Sequence, residues 1–138
     1  MNEPTTTDPR ALLDALDEAH TKATPGPWEA DGFLVLPGYW GDTPPVLART
    51  NDNTDAAAIV AAHNALPALT AAVRAGLALA DVWDGIADTW QQTADHPNSG
   101  PTHPPTYRSS CLEEVADFRA RAAALRATVT AALTGGTP

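Results

Sequence analysis

Two long stretches in which apolar or small side chains return every three or four residues, separated by a proline-rich gap, constrain this chain more than any other feature. In the first stretch Leu66, Leu69, Val73, Gly76 or Leu77, Ala80, Trp83, Ala87 and Trp90 follow the spacing of a helix seam. In the second, Leu112, Val115, Phe118, Ala122, Leu125, Val129 and Leu133 do the same. Pro67 suits a helix start, so the first pattern predicts a helix over 67–93. Ser110 and Glu113 form a capping-box pair, which opens the second helix and leaves Gly135-Gly136 to end it. Between them, Asp95 to Tyr107 holds four prolines, one glycine and two histidines, a loop composition. Two such helices are expected to fold back as an antiparallel hairpin, with Gly76 and the alanines allowing close approach.

The N-terminal half reads differently. Asp8-Pro9 pairs an N-cap with a proline at the first helical position, and Leu12, Leu13 and Leu16 repeat at helical spacing over about 9–22. Thr24-Pro25-Gly26-Pro27 stops that helix. Trp28 to Ala30 and Phe33 to Leu36 flank Asp31-Gly32, a hairpin turn signal, and Val46 to Arg49 reads as a third strand. The cluster Asn51-Asp52-Asn53-Thr54 caps a short helix that runs to about Asn64. The expected fold is α+β and mostly α: a three-stranded antiparallel β-meander packed on helices, then a long helical hairpin. A single domain over 1–138 is expected, with residues 9–66 carrying the meander and 67–134 the hairpin and its loop at 94–108.

Charge narrows the partners. Eight Lys and Arg stand against 17 Asp and Glu, a formal charge of −9, so direct nucleic-acid binding and attraction to an anionic membrane are not expected. Met1 to Thr5 has neither a basic nor an apolar region of the kind that export signals carry, and no stretch is expected to approach the twenty apolar residues of a membrane span. The single cysteine, Cys111, cannot form an intramolecular disulfide, which fits a reducing compartment. The bacterial cytoplasm is the expected location.

Chemistry has few footholds. There is no phosphate-binding glycine loop joining a strand to a helix and no serine set between glycines. His20, His63, His96 and His103 show no ligand spacing typical of a zinc site, so no metal or other cofactor is expected. Asp55 and His63, eight residues apart on one helix, are too distant to act as a dyad. No catalytic residues are assigned, and the chain reads as a non-enzyme. Aromatic residues cluster near the sheet, and Tyr39, Trp40, Arg49 and Asn53 together offer the stacking faces and donors of a small-ligand pocket. Leu69, Val73, Trp83, Trp90, Phe118 and Leu125 are the expected contacts of a homo-oligomer.

Ala23-Thr24-Pro25-Gly26-Pro27-Trp28-Glu29 and the segment from Asn53 to Leu69 resemble, in order and spacing, the Ead-like accessory proteins of temperate phages and their actinobacterial relatives. Ala58 stands where that group often has phenylalanine, and the resemblance covers about residues 10 to 80. It implies a phage or prophage origin and helix-mediated self-association; joined to the acidic, motif-free composition, it leads to the expectation of a non-catalytic accessory binder that captures a host protein or a small host signal, such as a nucleotide immune signal. It brings no catalytic residues. Two readings from other classes are a small metal-dependent hydrolase built on His63, His96 or His103, and an acidic DNA mimic.

Overall fold

The structure, a computed structural model, describes residues 8–38, 41–96 and 106–135. Mostly helical with one three-stranded antiparallel sheet, it has the expected fold class. The chain divides into two compact units, one of residues 10–72 and one containing the residues from Val73 on.

In the first unit, helix α1 (Pro9–Lys22) buries Leu13 and half-buries Leu12, the inward face of its apolar stripe. Strands β1 (Trp28–Asp31), β2 (Leu34–Pro37) and β3 (Ala48–Arg49) follow, in spatial order β1-β2-β3. The central strand carries the sheet's core residue: Val35 is fully buried, and Ala56 from the next helix is too. The hairpin register pairs Asp31 with Leu34, so the two-residue loop is Gly32-Phe33 rather than the expected Asp31-Gly32. Only Gly32 takes positive φ, at +59°, which matches a turn with glycine at its first central position and a non-glycine second. That shift places Phe33 in the turn, 51% exposed, and removes it from the expected apolar face. The third strand, Ala48–Arg49, is shorter than its 46–49 expectation. Pairing still extends past it, with Leu47 N–H donating to Val35 O at 2.9 Å and Thr50 N–H to Phe33 O at 2.8 Å.

Helix α2 (Asn53–Asp95) is continuous where two helices were expected. Pro67 lies inside it. A proline here removes the hydrogen bond to the carbonyl of His63 and costs about 3 kcal/mol, but regular helix on both sides holds the turn in place. Asp52 caps the start: its carboxylate accepts the Thr54 N–H at 2.6 Å, and this bond holds the Asp52 carboxyl below its ordinary pKa.

In the second unit, the C-terminal part of α2 lies against α3 (Tyr107–Thr134). Two ion pairs define their sense. Asp88 meets Arg119 at 3.3 Å and Asp81 meets Arg126 at 2.8 Å, so a seven-residue step back along α2 is matched by a seven-residue step forward along α3. The helices are therefore antiparallel and in heptad register. Arg126 also spans to Asp84 at 2.7 Å, and bonding to both carboxylates raises its pKa further. Such exposed pairs stabilise by about 0–1 kcal/mol each, so their value is in fixing register.

The hairpin core is made of small side chains. Leu77, Ala80, Ala87 and Ala94 of α2 are buried, as are Cys111, Val115 and Ala122 of α3. The seam on α2 shares Val73, Ala80 and Ala87 with the expected one, takes Leu77 of the two choices at its position and extends to Ala94, whereas Trp83 is only half-buried and Trp90 is exposed. Alanines let the two backbones approach, and the tryptophans at 83 and 90 are too large for that gap. Helix α3 begins at Tyr107 rather than at Ser110, whose hydroxyl lies within the helix and donates back to Thr106 O at 3.1 Å. Its end is as expected, at Gly135 with φ +69° and its N–H on Ala131 O.

Candidate functional site

The densest polar and aromatic cluster among the described residues lies in the first unit, around Trp28. Asn64 accepts the Trp28 N–H at 2.9 Å and donates its side-chain amide to the Trp28 carbonyl, also at 2.9 Å. An amide side chain thus takes the place of a neighbouring strand at the sheet's edge. The indole N–H donates to Thr24 O at 3.0 Å. One turn of α2 sets His63 beside Asn64, and the imidazole stacks flat on the indole, ring centres 3.4 Å apart and planes 3° from parallel. His20, from the last turn of α1, continues the stack with its ring centre 4.5 Å from that of His63 and its plane tilted by 30°.

The sequence reading found no ligand spacing for His20 and His63, and here they are neighbours. Separation along the chain conceals a contact made by two different helices. Burial lowers the pKa of His63, the charge of a protonated His20 lowers it further, and a hydrogen bond to the Gly26 carbonyl opposes both. His63 accordingly gives up its proton more readily than an ordinary imidazole. The Nδ1 of His20 is buried and has no hydrogen-bond partner. Both histidines line a hollow of about 320 Å³ with Gly26, Pro27, Asn64 and Pro67.

The expected ligand pocket is partly placed. Arg49 lines a second hollow of about 410 Å³ with Thr50, Asn51, Asp55, Ala58 and Ile59. Asn53 is the first residue of α2, next to the capping Asp52 and outside that lining. Tyr39 and Trp40 lie outside the described residues, as does His103.

The expected oligomer contacts separate into groups. Val73, Phe118 and Leu125 are half-buried along the hairpin seam. Leu69, 58% exposed, belongs to the first unit. Trp83 and Trp90 fall on a second α2 stripe with Gly76, Leu79, Val82 and Ile86, of which Leu79 is 44%, Val82 56% and Trp90 36% exposed while Gly76, Trp83 and Ile86 are half-buried. An 18-residue window of α2 reaches a mean hydropathy of 1.5 with 11% of it buried, so by length and composition the helix is apolar enough to cross a membrane. That departs from the expectation, which gave alanine little weight. The core helix of a soluble protein passes the same test when it is mostly buried, which this window is not.

No group of three or more His, Cys, Asp or Glu side chains able to hold a metal ion occurs among the described residues. Cys111 is buried on the hairpin seam. Fold and site together define a small helical-hairpin protein with an attached β-meander. No family model, curated protein or solved structure matches the chain.

Proposed function

We propose that this protein is a non-catalytic binding protein that works as a homo-oligomer, joined through the outer stripe of α2. The observation that carries the reading is the row in which Leu79, Val82 and Trp90 are exposed and Gly76, Trp83 and Ile86 half-buried, which contains no charged residue. Apolar rows of this length are usually covered. A second copy fits because the row is self-complementary. When two copies meet antiparallel about Trp83, each Trp90 comes opposite the partner's Gly76, where a Cβ would meet nothing within 4 Å. Parallel pairing would instead set tryptophan on tryptophan and glycine on glycine. For this row a bilayer is a poorer cover, since Arg74, Asp81, Asp84 and Asp88 stand on the same turns.

The resemblance in residues 23–29 and 53–69 supports a phage or prophage accessory role in the host cytoplasm, in which the oligomer captures a host protein or a small signal. The hollow beside Arg49 is the place for such a signal, with Tyr39, Trp40 and Asn53 as the other candidate contacts. The DNA-mimic reading is weakened by Arg108, Arg119 and Arg126, which pair with the acids of α2 that would have formed its array.

Analytical ultracentrifugation tests the assembly. The native chain is expected to sediment as a dimer or a higher even-numbered species at micromolar concentration, and Val82→Asp, on the most exposed position of the row, as a folded monomer. A native monomer at all concentrations contradicts the reading, and co-flotation of the monomer with phospholipid vesicles would identify a bilayer as the cover instead.

A further inference from the structure

We propose that the hollow beside Arg49 takes a small zwitterion, an apolar α-amino acid, with its carboxylate on the Arg49 guanidinium and its ammonium on the Asp55 carboxylate. This rests on the reading of that hollow as a ligand site and adds the chemistry of what enters it. The first support is an unpaired cation. Lys22, Arg108, Arg119, Arg121 and Arg126 hold ion pairs, and Arg10 and Arg74 have interactions of their own. Among the described residues, Arg49 alone of the eight Lys and Arg has neither an ion pair nor a side-chain hydrogen bond, in a chain with 17 Asp and Glu. A guanidinium offers a planar fork of donors that matches a carboxylate, and here the fork is unfilled.

Charge placement is the second support. Arg49, from β3, and Asp55, from the first turn of α2, line the same hollow without forming an ion pair with each other. Opposite charges held apart around one hollow complement a ligand that carries both. A simple anion would satisfy Arg49 and face Asp55, and a simple cation the reverse. A nucleotide fits worse still, because its further negative charge meets both Asp55 and a chain of net charge −9.

The remaining wall is the third. Ala58 and Ile59 follow Asp55 by three and four residues, so they stand one helical turn along the same face, and Ile59 is 40% exposed. An apolar side chain has its cover there. The hollow measures about 410 Å³, near the small end of ligand sites, which suits one amino acid better than a larger signal. With one partner for each charge and the rest of the ligand in solvent, binding should be about millimolar and readily reversible.

Ligand-observed NMR titration of the full native chain with L-leucine, up to about 10 mM, tests the proposal. The comparison ligands are N-acetyl-leucine, which lacks the ammonium, leucinamide, which lacks the carboxylate, and AMP. The expected result is saturable binding of L-leucine and binding of the other three weaker by about tenfold or more. Arg49→Gln, folded by circular dichroism, should lose L-leucine binding, whereas Asp55→Asn should bind L-leucine and N-acetyl-leucine alike. Arg121→Gln, the same loss of charge at a paired arginine of α3, should bind as the native chain does. No saturable binding of L-leucine to the native chain, or binding unchanged in folded Arg49→Gln, overturns the proposal. AMP binding that depends on Arg49 and exceeds that of L-leucine overturns it too, while leaving the hollow as the ligand site of the functional reading.

Discussion

Asn64 holds Trp28 by both backbone polar groups, accepting its N–H and donating to its carbonyl at 2.9 Å each. A helix side chain here completes a strand edge, and the residue before it in sequence, His63, stacks on the same tryptophan. Strand start, helix face and imidazole stack are thus one structural joint. Replacing Asn64 by Ala removes two hydrogen bonds at a solvent-accessible position and should destabilise the first unit by about 1–2 kcal/mol. Asn64→Asp keeps the acceptor but not the donor, and should fall between the two in a urea melt followed by tryptophan emission.

Gly38 is constrained by contact rather than by φ. Its N–H donates to Pro27 O at 2.8 Å, and a Cβ there would lie 2.8 Å from the same oxygen. Backbone cannot move away as a flexible side chain would. Gly38→Ala should therefore cost about 1–3 kcal/mol, as overpacking does, whereas Gly41→Ala, where a Cβ meets nothing within 4 Å, should be close to neutral. Paired thermal melts of the two variants check the contrast.

The hairpin seam predicts a protected thiol. Cys111 is 1% exposed between alanine-lined helices. Its reaction with a disulfide reagent should be slow in buffer and complete on unfolding, with the labelling rate rising along the denaturation curve. Widening the seam by Ala87→Leu should cost about 1–3 kcal/mol and speed the labelling.

Acid should loosen the first unit. The folded pKa of His63 lies below its ordinary 6.5, first through burial and then through His20, so the unfolded chain binds more protons than the folded one as the pH falls. Its contribution to stability is present above pH 6.5 and is lost as the pH drops through the lower, folded value. In metal-free buffer, the melting temperature should decline on the acid side of 6.5 more steeply for the native chain than for His63→Phe.

Much of this architecture could be read from residues alone. Asp8-Pro9 located α1, the Gly135 pair located the end of α3, and apolar spacing revealed both long helices. Pro67 misled, because local propensity marks a break while flanking helix overrides it. Val73, Leu77, Ala80 and Ala87 stand on the seam as read, but Trp83 and Trp90 were set on it because alanine was not separated from tryptophan by size, and packing distance makes that separation. The Trp28, His63 and His20 stack was invisible: it joins a strand and two helices, and the bonds between the Trp28 backbone and the Asn64 side chain that accompany it span 36 residues. Only Asn64 beside His63 hinted at it, as two polar side chains in an otherwise alanine-rich run.

Pairing of α2 with its own copy is tested most directly by mixing two singly substituted chains, Gly76→Cys and Trp90→Cys, each with Cys111→Ala to remove the native thiol. Antiparallel contact about Trp83 predicts a disulfide-linked pair containing one chain of each kind under mild oxidation, in preference to links between identical chains. Random cross-linking, or links between like positions only, would contradict the antiparallel α2 interface on which the functional account is built.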